Sequence, residues 1–241
     1  LLESSFKDLL EQMRLFFSLP LSEKKIIERT SENHWGFYDQ ELTKNTKDWK
    51  EIFYLGCHQG NCVPQWPENY PKFRTTVLDY YSQCEEISLE LVCCLERILG
   101  AATNQLSSAF RNHTSYLRLN YYPLCNIPAI PQSPDIPSNG KLGIGHHTDS
   151  GAITLLLQDG REGLQIKQNG AWRIVSTGKA NIIVNIGDII QVWSNDRYKA
   201  PLHCVLASHQ HVRYSAPFFF NPSFPTSYAP LASMTKRSKP H

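Results

Sequence analysis

Along the first nineteen residues the apolar positions recur every three or four: Leu2, Phe6, Leu9, Leu10, Met13, Phe16 and Phe17. That period puts them on one face of a helix over 1–19, which Pro20 ends. Ser22-Glu23-Lys24-Lys25 predicts a short second helix with Ser22 as its cap. Residues 31–70 keep neither a helical nor a strand period. Gly36, Gly56, Gly60, Pro64 and Pro67 interrupt them, so the stretch reads as irregular. Pro71 opens a long helix whose buried stripe is Phe73, Val77, Tyr80, Cys84, Ile87, Leu91, Leu95 and Ile98, and Gly100 stops it. A short helix near 103–110 follows.

From residue 115 the period changes to two. Alternation over 115–122 predicts a strand, and a Pro-rich loop covers 123–139. Further strands are predicted near 142–148, 152–157, 163–167, 171–174, 181–185, 189–193, 202–207 and 213–220. Gly, Asn and Asp separate them at short intervals, as in an all-β barrel or sandwich. The expectation is a mainly β protein with a helical layer: a helical N-terminal region over 1–114 packed on a β core over 115–233, in one domain spanning 1–241. The tail 234–241, basic and poor in apolar residues, should be flexible.

Composition narrows the function classes. A length of 241 residues suits one domain with a sizeable core. The net charge is only +2 and the basic residues lie among acidic ones, so no nucleic-acid-binding stripe is expected. No apolar run approaches a bilayer span, so no membrane partner is expected. The seven cysteines are odd in number and form no CxxC pair, which reads as reduced thiols in a cytoplasmic protein. Cys93 and Cys94 should pack in the long helix as small hydrophobes. The chain begins at Leu1, already in helical pattern, so its natural N-terminus is expected upstream. Oligomeric state is not read from the sequence.

The candidate chemistry lies in the β half. His147 and Asp149 are two apart, hence on one face of a strand, and His203 can join them from another strand. Two imidazoles and one carboxylate, with the other coordination positions open, form the ligand set of non-haem Fe(II) oxygen chemistry. Structural zinc instead uses a closed tetrahedron. Arg213 offers a planar, permanently charged fork for a carboxylate, and Ser215 lies on the same strand face. Together they suggest a clamp for the far end of a short diacid. Arg118, Asn120 and Tyr122 share a strand face, and the last two could donate to the same acid.

With these residues in view, the chain resembles the 2-oxoglutarate/Fe(II)-dependent dioxygenases. It is most similar to the isopenicillin N synthase-like branch, which includes many plant specialised-metabolism enzymes. Arg118-Leu119-Asn120-Tyr121-Tyr122-Pro123, His147-Thr148-Asp149, Gly187-Asp188, Trp193-Ser194-Asn195, His203 and Arg213-Tyr214-Ser215 carry the resemblance. Asp48-Trp49-Lys50-Glu51 and Gln65-Trp66-Pro67 extend it over nearly the whole chain. It implies a double-stranded β-helix (jelly-roll) with His147, Asp149 and His203 as iron ligands. It further implies Arg213 and Ser215 on the distal carboxylate of 2-oxoglutarate, Asn120 and Tyr122 supporting that co-substrate, and Phe219 beside the substrate. The implied reaction consumes 2-oxoglutarate and O2, releases succinate and CO2, and hydroxylates, desaturates or cyclises a small-molecule metabolite.

Two departures from the family stand out. The family usually follows its distal His with Arg-Val, whereas here Cys204-Val205 follows His203; the change touches a surrounding contact, not a ligand. The family also starts with a strand and helix ahead of the first helix seen here. Two other functions compete with the oxygenase. One is an iron oxidase of the same fold that does without 2-oxoglutarate. The other is a barrel that binds a metal or small ligand without turnover. Among the remaining histidines, His146 should face away from His147, and His209 and His211 should sit in a turn. His34, His58 and His113 have no assigned partner.

Overall fold

The structure, a computed structural model, describes residues 3–56, 62–130, 140–176, 178 and 181–235. Leu2, Cys57, His58 and Gly60, most of the Pro-rich loop and the tail beyond Thr235 lie outside them. The helices are α1 (Glu3–Phe17), α2 (Leu21–Lys25), α3 (Pro71–Ile98), α4 (Asp188–Trp193) and α5 (Ala232–Thr235), with a 3-10 turn at Ser107–Phe110. The strands of the N-terminal half are β1 (Gly36–Tyr38), β2 (Leu42–Thr43), β3 (Thr46–Lys47) and β4 (Glu51–Gly56). Then follow β5 (Tyr116–Tyr122), β6 (Leu142–His147), β7 (Ile153–Gln158) and β8 (Leu164–Gln168). The last are β9 (Ala171–Ile174), β10 (Ile182–Ile186), β11 (His203–Leu206) and β12 (Arg213–Phe220).

One sheet runs β1-β4-β5-β12-β7-β10 and the other β6-β11-β8-β9, with β2-β3 as a separate hairpin. Every strand pairing within them is antiparallel. The fold is a double-stranded β-helix with a helical layer on its larger sheet. Among the described residues no helix is long and apolar enough to cross a membrane.

Strand parity divides the interior in two. On β12, Ala216, Phe218 and Phe220 face the helices and join Leu117 and Leu119 of β5 in the main core. Phe16 of α1 meets Phe73 of α3 and Phe53 of β4 there, with ring centroids 4.7 and 5.4 Å away. Burial of such aromatics dominates the stability of a core, each worth about 3–5 kcal/mol on truncation to Ala. The opposite faces of β5 and β12 point between the two sheets. There the second apolar cluster is small: Tyr122, Ile144, Leu164 and Val205. A space between sheets with so little filling is where a ligand fits.

Several expectations are corrected. Residues 31–70 are not irregular throughout: β4 pairs with β5 in continuous register from Glu51↔Tyr121 to Gly56↔Tyr116, and β1 covers it. Strand pairing at long range supplied an order that local punctuation hid, so the N-terminal region over 1–114 is not purely helical. The predicted strand at 189–193 is α4; a short apolar run fits either state, and here Ile189, Ile190 and Trp193 are buried at helical spacing. Ser22 does not cap α2, which starts at Leu21 behind Pro20 with no side-chain cap bond.

The stripe of α3 follows expectation as far as Cys84; beyond it Ile87, Leu91 and Leu95 still pack against the core but are only half-buried. Ser88, Val92 and Glu96 are buried, while Ile98 is exposed. Glu96 is drawn inward because its carboxylate accepts the backbone N–H groups of Asn104, Leu106 and Ser107. The same packing leaves Cys93 and Cys94 exposed rather than packed. Met234 is buried in α5, so the tail is not loose at its first residue.

Candidate metal centre

His147 ends β6, and His203 begins β11 directly opposite it in the antiparallel register. Their rings lie 4.2 Å apart, centroid to centroid. Asp149 follows β6 by two residues and brings Oδ1 to 3.7 Å from His147 Nε2 and 3.6 Å from His203 Nε2. One ligand atom from each of the three lies within 4.8 Å of the others. Among the described residues this is the His/Cys/Asp/Glu group placed to hold a metal ion.

Each ligand atom is aimed by a partner behind it. His147 Nδ1 is 2.8 Å from the carbonyl of Gly145, and His203 Nδ1 is 2.9 Å from that of Pro201. A carbonyl only accepts, so Nδ1 carries the proton and Nε2 keeps its lone pair for a metal. Burial, and then the neighbouring His203, push the His147 imidazole down to about 4, so it is neutral at physiological pH. Asp149 Oδ2 accepts from Thr154 Oγ1 at 2.7 Å and Asn185 Nδ2 at 2.8 Å, which leaves Oδ1 facing the histidines. Thr154 and Asn185 are themselves cross-strand partners on β7 and β10. The sequence reading missed both. The available signal was a polar residue inside each of two apolar strands.

Next to the triad lies a cavity of about 210 Å3 lined by Arg118, Asn120, Tyr122, Arg213, Ser215 and Phe219, among others. The predicted clamp residues therefore share one space with the triad. β12 places Arg213 against Tyr122 and Ser215 against Asn120 of β5. Arg213 is 2% exposed, and this matters because burying a charge is costly unless something pairs it. Its Nη2 donates to Gln158 Oε1 and its guanidinium lies 4.9 Å from the Tyr122 ring centroid, while Nε and Nη1 have no hydrogen-bond partner among the described residues. Ser215 Oγ accepts from Asn120 Nδ2 at 3.2 Å and lies 3.5 Å from the Tyr122 hydroxyl. Asn120 takes an acceptor site of the Ser215 oxygen, and the Ser215 proton can turn to Tyr122 or to a ligand. Gln158 was also missed; it is the buried polar residue that closes the apolar run of β7.

Comparison with known proteins places this arrangement. The model of the 2OG-Fe(II) oxygenase superfamily matches residues 113–222. The model of the N-terminal region of non-haem dioxygenases in morphine synthesis matches residues 2–72. The chain belongs to the 2-oxoglutarate/Fe(II) oxygenases, in the isopenicillin N synthase-like branch.

Jasmonate-induced oxygenase 4 of Arabidopsis thaliana is 30% identical over 240 residues, covering 94% of this chain and 64% of that protein. Gibberellin 20 oxidase 2 of Oryza sativa subsp. indica is 32% identical over 217 residues, covering 86% of this chain and 53% of that protein. This family member thus spans between about half and two-thirds of the length of these relatives. A crystal structure of JOX2 in complex with 2OG, Fe and JA superposes with a TM-score of 0.82 at 27% identity, covering 97% of this chain and 68% of that one.

The other histidines of this family member lie elsewhere. His146 stacks on Trp172 with centroids 4.9 Å apart, and His113 Nε2 is 2.8 Å from Glu85. His34 Nδ1 is 3.3 Å from Cys62 Sγ. His211 is half-buried, its Nδ1 3.5 Å from Ser208 Oγ, and His209 is exposed. Phe219 lines the cavity and stacks on Tyr116 at 4.7 Å. Cys204, where the family commonly has Arg, is fully buried.

Proposed function

We propose that the chain is an Fe(II)- and 2-oxoglutarate-dependent oxygenase of a small-molecule metabolite. One observation carries the reading: a carboxylate oxygen and two imidazole nitrogens converge beside a cavity whose buried Arg213 has two N–H-bearing nitrogens without a hydrogen-bond partner among the described residues. His147, Asp149 and His203 suit Fe(II), being one hard carboxylate and two neutral imidazoles in an incomplete shell. Arg213 suits a carboxylate by charge and by its fork.

In this reading His147, Asp149 and His203 hold iron, and Arg213 receives the distal carboxylate of 2-oxoglutarate. Ser215 donates its proton to that carboxylate, while Asn120 and Tyr122 hold the Ser215 oxygen in place. Gln158 fixes the guanidinium from behind. Ile144, Leu164 and Val205 keep the lumen poor in water, which strengthens each of these charged contacts. Phe219 faces the space left for substrate. Iron, 2-oxoglutarate and O2 supply, when bound, the oxidising power to attack a substrate C–H bond, with succinate and CO2 released. The buried thiols of Cys84 and Cys125 suit a reducing compartment, the cytoplasm.

The test is anaerobic titration of the protein with Fe(II) and 2-oxoglutarate, followed by admission of O2 and assay for succinate. The expected result is saturable binding of 2-oxoglutarate and O2-dependent succinate, both lost in His147→Ala. A folded protein that binds no 2-oxoglutarate and forms no succinate would refute the proposal.

A further inference from the structure

A second cavity, of about 580 Å3, lies where the β2–β3 hairpin rests beside β6. It shares no lining residue with the cavity beside the triad, and the oxygenase reading gives it no role. Three lysines line it: Lys44, Lys47 and Lys141. Lys47 Nζ donates to Gln40 Oε1 at 2.8 Å, and Lys141 Nζ lies 3.9 Å from the Trp49 ring centroid. Both partners are neutral. Among the described lining residues the only acid is Asp48, and it is already engaged. Its Oδ2 meets Lys50 Nζ at 3.0 Å and Thr43 Oγ1 at 2.9 Å, and its Oδ1 accepts the Gly145 N–H at 3.1 Å. Three positive charges therefore face one space, and the lining offers no spare carboxylate to answer them.

The hairpin holds this charge at a cost. Lys44 and Asn45 are the two central residues of the turn between β2 and β3, with φ of +49° and +62°. Asn suits that left-handed backbone. A lysine does not, because its Cβ crowds the following carbonyl oxygen. Backbone strain of this kind gathers at ligand clamps. The hairpin is also seated closely: a Cβ on Gly145 would come within 2.9 Å of Thr43 Cγ2. Trp49, under Lys141, is pinned by its indole N–H, which donates to the carbonyls of Pro123 and Leu124, each at 3.1 Å. Ammonium groups thus stand on the hairpin side and on the β6 side of one cavity.

The donors define the ligand. Among the described lining residues there is no guanidinium, so the planar fork that matches a carboxylate is missing. Ammonium groups act as point charges, and several of them suit a compact, doubly charged phosphate. His146, on the same wall, stacks on Trp172 with centroids 4.9 Å apart and offers ring surface to the rest of the molecule. The volume is that of a small-molecule site.

We propose that this cavity is a second ligand site, which takes a small phosphate monoester through Lys44, Lys47 and Lys141. The site uses neither iron nor 2-oxoglutarate, so it stands apart from the oxygenase reading.

The test is isothermal titration of the full chain with phenyl phosphate at low ionic strength, after anaerobic loading with Fe(II) and 2-oxoglutarate to fill the clamp. One saturable site with a Kd below about 1 mM is expected. Benzoate and phenol keep the ring but lack the phosphate, and should bind at least about tenfold more weakly. Lys44 and Lys141 are exposed, so their Gln variants should keep the fold. Lys44→Gln and Lys141→Gln should each weaken phenyl phosphate about three- to tenfold, and the pair together more than about tenfold. A second measurement needs no variant: phenyl phosphate should protect Lys44 and Lys141 of the wild type from reductive methylation, read by peptide mass spectrometry.

No saturable binding, uptake at several sites, or benzoate binding as tightly as phenyl phosphate each overturns the proposal. Unchanged affinity in the double variant, or equal methylation with and without phenyl phosphate, overturns it too. Loss of 2-oxoglutarate binding in the folded double variant would assign the lysines to the co-substrate and likewise overturn it. Failure of the wild type to bind 2-oxoglutarate is a different outcome. It removes the oxygenase reading, and the phosphate titration is then read on the chain alone.

Discussion

The two donors behind Asp149 offer the sharpest test of how the site is built. Thr154 Oγ1 and Asn185 Nδ2 both end on Oδ2, at 2.7 and 2.8 Å. Removing either loosens the carboxylate without touching a ligand. A hydrogen bond to a charged group is worth about 1.5–3 kcal/mol. Partners of this kind typically account for about 10–100-fold in metal affinity, which is about 1.4–2.7 kcal/mol on the same scale.

Thr154→Val and Asn185→Leu are close in shape to the originals and should each weaken metal binding within that range. The double variant should lose more than the sum, because in each single variant the remaining donor still orients Oδ2. The assay is anaerobic titration with Co(II), read by its visible absorption, alongside circular dichroism to show that the fold persists. Full metal affinity in both single variants, with Asp149→Ala abolishing binding, would show that the carboxylate orients itself and refute the reasoning.

Other expectations follow from single residues. Arg213→Met should raise the Kd for 2-oxoglutarate at least about tenfold, measured by titration. The same variant should unfold in urea at an unchanged or higher midpoint without ligand, since it removes a buried charge that only the co-substrate neutralises. A Cβ at Gly187 would collide with the Gly151 carbonyl oxygen and come within 2.7 Å of that of Asp149, so Gly187→Ala should cost about 1–3 kcal/mol in urea unfolding and also weaken metal binding. No loss of either would place that loop among the adaptable ones. Burial, and then Arg118, lower Lys50 from 10.5 to about 8. The folded state therefore binds fewer protons than the unfolded chain between those values, and this group's contribution to stability rises with pH across that window. Comparing wild type with Lys50→Met in urea at both ends of the window should show a gentler pH slope in the variant. Identical slopes would place the ammonium in contact with water.

The grouping of His147, Asp149 and His203 and the shared face of Arg213 and Ser215 were legible in the sequence through residue type, order and local spacing. Arg213 and Ser215 are two apart on β12, and period-two geometry sends both to one face; Asp149 lies two residues past the end of β6, so its spacing from His147 marked it although no strand carries it. The long helix and most strands of the second half were legible for the same reason, through local period. What the tertiary structure decided is everything set by register between distant segments.

Only the pairing of β7 with β10 makes Thr154 and Asn185 neighbours behind Asp149, and only β12 beside β7 brings Gln158 to Arg213. The strand β4 inside a stretch that looked irregular exists because β5 offers it an edge. The run 188–193 is a helix because its surroundings, not its period, chose between two allowed states. Arg213 was visible as a residue, but that two of its nitrogens lack a hydrogen-bond partner among the described residues was not. Charge balance is a property of the assembled site, fixed when distant acids find other partners.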